Sequence, residues 1–192
     1  WDPLVADVGG VWDRLLSQGH HAFAAISSSD FHNTKLDKLP CAFSKIHLLV
    51  PEKSYDGVFA ALRAGSFWSG HGNVLASLKF TVMTEGLIIP AIAGETVKIP
   101  QEQELTLEVS LKRSNDFANE PLTIELIGDI KAGHPELIGI KILNNATDSA
   151  NWKLDGLLAD REHGSVRARV RYVRENGADF VAYTNAIQIV ID

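Results

Sequence analysis

The chain has 192 residues, of which 45% are hydrophobic and 22% are charged. These values are typical of a folded globular chain and exclude a disordered, collagen-like or low-complexity protein. The formal net charge of −6 argues against a nucleic-acid partner. No apolar run reaches the ~20 residues that a membrane-spanning helix needs, and the single cysteine, Cys41, excludes an internal disulfide framework.

Two amphipathic helices are predicted within residues 1–75. Apolar side chains recur at helical spacing over residues 8–16, and Gly19 follows where a helix commonly ends. Ser54 can cap the start of a second helix, which Gly65 can end. Each helix therefore has both an apolar stripe and a recognisable end.

Two short apolar runs, residues 22–26 and 46–50, lie between these helices. Because neither run alternates with polar residues, each predicts a strand that is covered on both faces, as in a parallel sheet. Pro51 ends the second run, and residues 27–33 read as a polar loop that leaves the first. The order helix, strand, strand, helix is typical of an α/β sheet or barrel.

Residues 76–192 show a different pattern, in which apolar and polar residues alternate with period two. Arginines 167, 169 and 171 alternate with Val166, Ala168 and Val170, which predicts a strand with apolar side chains inward and arginines on a solvated outer face. Turn-forming clusters separate the runs, so we predict an antiparallel β-sandwich. The predicted strands lie at residues 78–83, 105–111, 122–127, 137–143, 166–173 and 180–191.

The strongest candidate for chemistry is Asp30-Phe31-His32, which follows the predicted strand at residues 22–26. In extended backbone, Asp30 and His32 project to the same side, so a carboxylate and an imidazole can reach one metal ion or two adjacent ions. Oxygen and nitrogen ligands of this kind suit Zn, Mn or Fe. The open alternative is that Asp30 caps a turn and His32 is an ordinary surface residue.

The other histidines of the first half favour structural roles. His20 and His21 fit a solvated loop, and His47 fits a hydrogen-bonded position within a strand. His71 lies between two glycines, Gly70 and Gly72, in a stretch that could approach a site or act as an interdomain hinge. None of these four histidines is predicted to be a metal ligand.

Several segments together resemble the polymerase-and-histidinol-phosphatase (PHP) metallohydrolases, in the branch that carries a C-terminal β-sandwich. Residues 28–32, Ser-Ser-Asp-Phe-His, resemble the Ser-Asp-x-His motif that supplies the family's last metal ligands. The similar segments, in family order, are residues 11–20, 28–32, 60–72, 167–171 and 182–187. In the last of them Ala186 replaces the proline of the usual Asn-Pro-Ile.

The resemblance implies an α+β chain: the C-terminal fragment of a PHP-type α/β barrel over residues 1–73, followed by an antiparallel β-sandwich over residues 74–192. It also implies a metal-dependent, phosphoesterase-like hydrolase in which Asp30 and His32 are metal ligands. The family's other ligands belong to earlier barrel strands that this sequence does not contain. The chain, which begins at Trp1 rather than Met, is therefore expected to be the C-terminal part of a larger enzyme and inactive alone.

The missing barrel part is expected from the same protein or another chain. The alternatives are that the first 70 residues pack differently or that they associate between copies of the chain. The alternative function is a non-catalytic β-sandwich module that binds carbohydrate, a cell surface or a partner protein. The compartment stays open between periplasmic or secreted and cytoplasmic, because a chain without disulfides fits either.

Overall fold

The structure is a computed structural model and describes residues 6–21, 26–29, 31–37, 39–100, 103–130, 134–144, 148–155, 162–174, 177 and 179–192. Two α-helices are described, α1 (Val11–Ser17) and α2 (Tyr55–Ala64). The strands are β1 (Ser44–Leu48), β2 (Phe67–His71), β3 (Leu75–Thr84), β4 (Ala91–Ile92), β5 (Thr96–Ile99), β6 (Leu105–Arg113), β7 (Leu122–Gly128), β8 (Glu136–Leu143), β9 (Ser149–Leu154), β10 (His163–Val173), β11 (Asp179–Thr184) and β12 (Ile187–Ile191).

The strands form two sheets. The large sheet has eight strands in the order β1-β2-β11-β10-β12-β5, and β7 extends it by pairing with both β10 and β8. The small sheet has four strands in the order β4-β3-β6-β9. Every described pair is antiparallel except β5 and β12, which run parallel. The two sheets pack face to face over one apolar core.

The alternation of side chains along the strands places this core. On β6, Leu105, Leu107 and Val109 point inward and are fully buried, whereas Glu108 between them is exposed. The inner face of the large sheet adds Ile124 of β7 and further side chains of β10 and β12. The strands predicted at residues 78–83, 105–111, 122–127, 137–143 and 166–173 are all present.

The predicted fold class, an α/β barrel fragment followed by a sandwich, is wrong. Of the residues that the structure describes, 48% lie in strands and 13% in helices, and the sheets are almost entirely antiparallel. Strands β1 and β2, predicted as barrel and link, pair antiparallel with each other across the connection that contains α2, and β2 also pairs antiparallel with β11. A short apolar run is expected wherever both faces of a strand are covered. This holds in a parallel sheet, and it also holds in an antiparallel sheet covered by a helix, which is the arrangement found here.

Helix α1 provides that cover. Trp12 and Leu16 pack against Phe67 of β2 and Tyr183 of β11 on the outer face of the large sheet, in a second, smaller core. The helix ends as predicted at Gly19, whose φ of 79° is left-handed. The N–H groups of Gly19 and His20 donate to the carbonyls of Leu16 and Leu15, which closes the last turn.

The sequence patterns also missed elements. Strands β4, β5 and β9 are short or irregular in pattern, and residues 180–191 contain two strands, β11 and β12, rather than one. The break comes at Asn185, whose buried side chain donates to the carbonyl of Gly65 at 2.9 Å. Among the described helices, none combines the length and the apolar character required to cross a bilayer.

Candidate functional site

The predicted metal-ligand pair is only partly described. Asp30 lies outside the described residues, as do residues 22–25 of the strand predicted before it. Ile26, the last residue of that run, is exposed and lies outside any strand. His32 is exposed in an irregular loop, where its backbone N–H donates to the Asp37 carboxylate at 2.8 Å. Whether Asp30 and His32 point to a common ion stays a prediction.

The described residues do not fit a complete metal site. Within the ranges that the structure describes, no group of three or more His, Cys, Asp or Glu side chains could hold a metal ion. Zinc sites use three or four protein ligands, so Asp30 and His32 alone would fall short. Any metal bound by this pair needs further ligands from outside the described part of the chain.

The stretch around the predicted pair exposes its apolar side chains. Between residues 26 and 62, no described large apolar side chain is fully buried, in contrast to the core strands. Exposed apolar residues in such number are typical of a surface that another protein covers. The exposed ones in this stretch are Ile26, Leu36, Leu39, Leu49, Tyr55, Phe59 and Leu62.

Helix α2 packs with its small residues and exposes its large ones. Ser54 caps its start as predicted, accepting a hydrogen bond from the Gly57 N–H at 3.0 Å, and Gly65 ends it with a φ of 66°. Gly57 and Ala61 face inward, where a larger side chain at position 57 would overlap the backbone of Glu52. The outward stripe has the spacing of one helical face, and 88% of Tyr55 is exposed.

We call this outward surface the helical face; it consists of Tyr55, Phe59 and Leu62. A largely apolar groove of about 380 Å³ adjoins it between the end of β1 and the start of α2. Val50 and Val58 form its walls together with Tyr55. The helical face and this groove together have the apolar composition of the centre of a protein interface.

The β1–β2 strand pair carries two half-buried histidines, one on each face of the sheet. The His71 Nδ1 lies 2.6 Å from the Ser44 Oγ, and the His47 ring stacks on Trp68 with 3.7 Å between centroids. His71 is therefore held at the end of β2 rather than in a hinge. A cavity of about 10 Å³ beside Trp68 has room for one water molecule at most.

Burial lowers the pKa of both histidines below the ordinary 6.5, and for His47 the nearby Lys45 charge adds to the effect. The unfolded chain therefore binds protons that the folded chain does not. We expect the free energy of unfolding to be highest above about pH 6.5 and to fall as the pH drops towards about 5.5. Chemical denaturation at both pH values measures this loss. In the His47→Gln/His71→Gln variant the loss should be smaller, and an unchanged loss would show that other groups cause it.

The arginines of β10 lie on the outer face as predicted, but this face is not solvated at Arg167. Only 1% of the Arg167 side chain is exposed, because α1 covers it. Its Nε and Nη2 donate to the Asp13 carboxylate at 2.7 and 3.0 Å, and its guanidinium lies 4.5 Å from the centre of the Trp12 ring. Asp13 was missed as a partner, although it lies between Trp12 and Leu16 on the buried stripe of α1.

The remaining arginines of this face are also paired with acids. Arg169 and Arg171 both donate to the Glu125 carboxylate, and Arg171 also donates to Asp179. Beside them, burial raises the pKa of Tyr183, so its hydroxyl stays protonated. Because the carboxylates compensate the positive charge, this face is a structural ion-pair network rather than an anion-binding site.

The chain matches no protein-family model and no curated protein. Among solved structures it is similar to the X-ray structure of Northeast Structural Genomics Consortium target SoR45, with 13% sequence identity and a TM-score of 0.32. The match covers 59% of this chain and 86% of that chain. A TM-score and a sequence identity this low support no conclusion about fold or function.

Proposed function

We propose that this chain is the accessory segment of a metal-dependent hydrolase. In this proposal Asp30 and His32 contribute two ligands to a metal site, and a partner domain contributes the others. The β-sandwich is the scaffold that supports the segment with Asp30 and His32. Membership of the PHP family is part of the proposal and rests on the sequence segments alone.

The proposal rests mainly on where the exposed apolar residues lie in the chain. His32 lies within the same stretch, residues 26–62, whose large apolar side chains are exposed or half-buried. A domain that covers Leu36, Leu39 and the helical face would also approach the loop that bears His32. One docking event would therefore bury the apolar surface and bring further ligands to the pair.

The chemistry of the two residues supports the same conclusion. A carboxylate and a neutral imidazole are ligands for Zn, Mn and Fe, and a bound ion of this kind can activate water for attack on an ester. Two ligands bind such an ion weakly, which agrees with a segment that is inactive alone. We therefore expect weak, local metal binding by the isolated chain.

A titration with Mn²⁺, followed by NMR of the ¹⁵N-labelled chain, tests the proposal. The paramagnetic ion broadens the signals of nearby amides even when it binds weakly. We expect the amides around His32 to broaden at lower Mn²⁺ concentrations than those of the sandwich. The Asp30→Ala/His32→Ala variant should lose this selective broadening.

The matched control is His20→Ala/His21→Ala, which removes two exposed histidines from a nearby loop. This variant should broaden like the wild type. If the wild type shows no selective broadening around His32, or if the control variant loses it equally, the ligand pair is refuted. The non-catalytic binding module would then be the better reading of the chain.

A further inference from the structure

A second open groove, of about 420 Å³, lies at the opposite side of the molecule from helix α1, on the small sheet. It is formed where β3 leads into the turn at Glu85 and Gly86 and where the chain enters β6 at Gln103 and Glu104. None of these residues belongs to the stretch used in the proposed function, so the inference drawn from the groove is independent of that proposal.

The charged side chains that line the groove are both carboxylates. Glu85 and Glu104 are both exposed; within the described part of the chain, Glu104 has a cation beside it, Lys153 at 2.9 Å, and Glu85 has none. The Oε1 atom of Gln103 is buried and has no hydrogen-bond partner among the described residues, while its Nε2 donates to the Glu85 carbonyl at 2.8 Å. The exposed carboxylates of Glu85 and Glu104 favour a ligand that brings positive charge.

The other wall of the groove is apolar. Met83 and Leu87 line it, and the turn beyond Leu87 carries Ile88 and Ile89, of which 95% and 77% are exposed. Ile88 is the most exposed large apolar side chain in the described part of the chain. Two adjacent exposed isoleucines at a turn next to a groove have the character of an interface anchor.

We propose that this groove docks a basic, apolar segment of a partner protein. A lysine or arginine side chain combines a cationic head for Glu85 and Glu104 with an aliphatic stem that packs along Met83 and Leu87. Apolar residues next to that lysine or arginine contact Ile88 and Ile89. Charge complementarity selects this occupant over an acidic segment or an anionic membrane surface.

A peptide titration of the full chain, followed by NMR, tests this proposal. The probe is acetyl-Gly-Val-Lys-Val-Lys-Gly-amide, and its matched control replaces both lysines with glutamates. We expect the lysine peptide to shift the amides of Met83, Leu87 and Gln103, and the glutamate peptide to leave them unchanged. Added salt should weaken the binding, because the charges are exposed.

Variants of the groove residues test which side chains contact the lysine peptide. Glu85→Gln/Glu104→Gln should raise the Kd by about fivefold, which is the effect of losing two exposed charge pairs. The control Glu108→Gln removes an exposed charge from β6, the strand that begins directly after Glu104, and should leave the Kd within about twofold. Ile88→Ser/Ile89→Ser should weaken binding without changing the fold, since both side chains are exposed.

Each of the following results would overturn the proposal. The lysine peptide could fail to shift these amides, the glutamate peptide could bind equally well, or Glu108→Gln could weaken binding as much as the groove variant. Spermidine serves as a further probe, because it carries the charge without the apolar residues. If spermidine binds as tightly as the peptide, the groove is a polyamine site and not a docking surface.

Discussion

Replacing Arg167 by alanine is expected to lower the free energy of unfolding by about 3–5 kcal/mol, as is typical when one partner of a buried ion pair is removed. Asp13 would remain on the buried face of α1, with only 4% of its side chain exposed and without its counter-charge. The contact between the guanidinium and the Trp12 ring would be lost as well. Urea denaturation at neutral pH measures the change.

The double variant Asp13→Leu/Arg167→Met is the matched control. Replacement of a whole buried pair by apolar side chains of similar size is often nearly neutral, so most of the lost stability should return. Together with the single variant Asp13→Leu, it completes a double-mutant cycle for this pair. If Arg167→Ala costs less than about 1 kcal/mol, α1 does not cover the outer face of the sheet in the way described.

The second large effect is expected at Gly94, in the turn between β4 and β5. Its φ is 94°, and its N–H donates to the Ala186 carbonyl at 3.0 Å. A methyl group there would overlap the backbone at Ala64 and Gly65, where α2 ends. We expect Gly94→Ala to lower the free energy of unfolding by about 2–5 kcal/mol, from backbone strain and overpacking together.

The variant Gly86→Ala separates the effect of backbone strain from the effect of overpacking. Its φ of 91° is almost the same as that of Gly94, but a methyl group at Gly86 would meet nothing within 4 Å. Gly86→Ala should therefore cost only the strain, about 1–2 kcal/mol. Thermal denaturation of both variants measures the difference. Equal losses would mean that the end of α2 does not pack against the β4–β5 turn.

The sequence predicted local structure well wherever a pattern has one physical cause. Ser54 and Gly65 bound α2 because a side-chain cap and a left-handed residue are local requirements. Arginines alternate with apolar residues on β10 because a strand has two faces. Such features depend on neighbouring residues alone, so a single sequence contains them.

The predictions that were wrong or missing concern contacts between residues far apart in the sequence. Phe67–His71 became a strand because β11, more than a hundred residues later, pairs with it. Arg167 is buried because α1, from the other end of the chain, covers it with Asp13. Likewise, the groove beside Glu85 combines two turns that the sequence gives no reason to associate.

The proposed function depends most on the loop that bears Asp30 and His32, and the Mn²⁺ titration tests this loop most directly. The predicted result is selective broadening around His32 in the wild type and in His20→Ala/His21→Ala, and its loss in Asp30→Ala/His32→Ala. Broadening that is spread over the acidic surface and is the same in all three proteins would contradict the assignment of Asp30 and His32 as metal ligands.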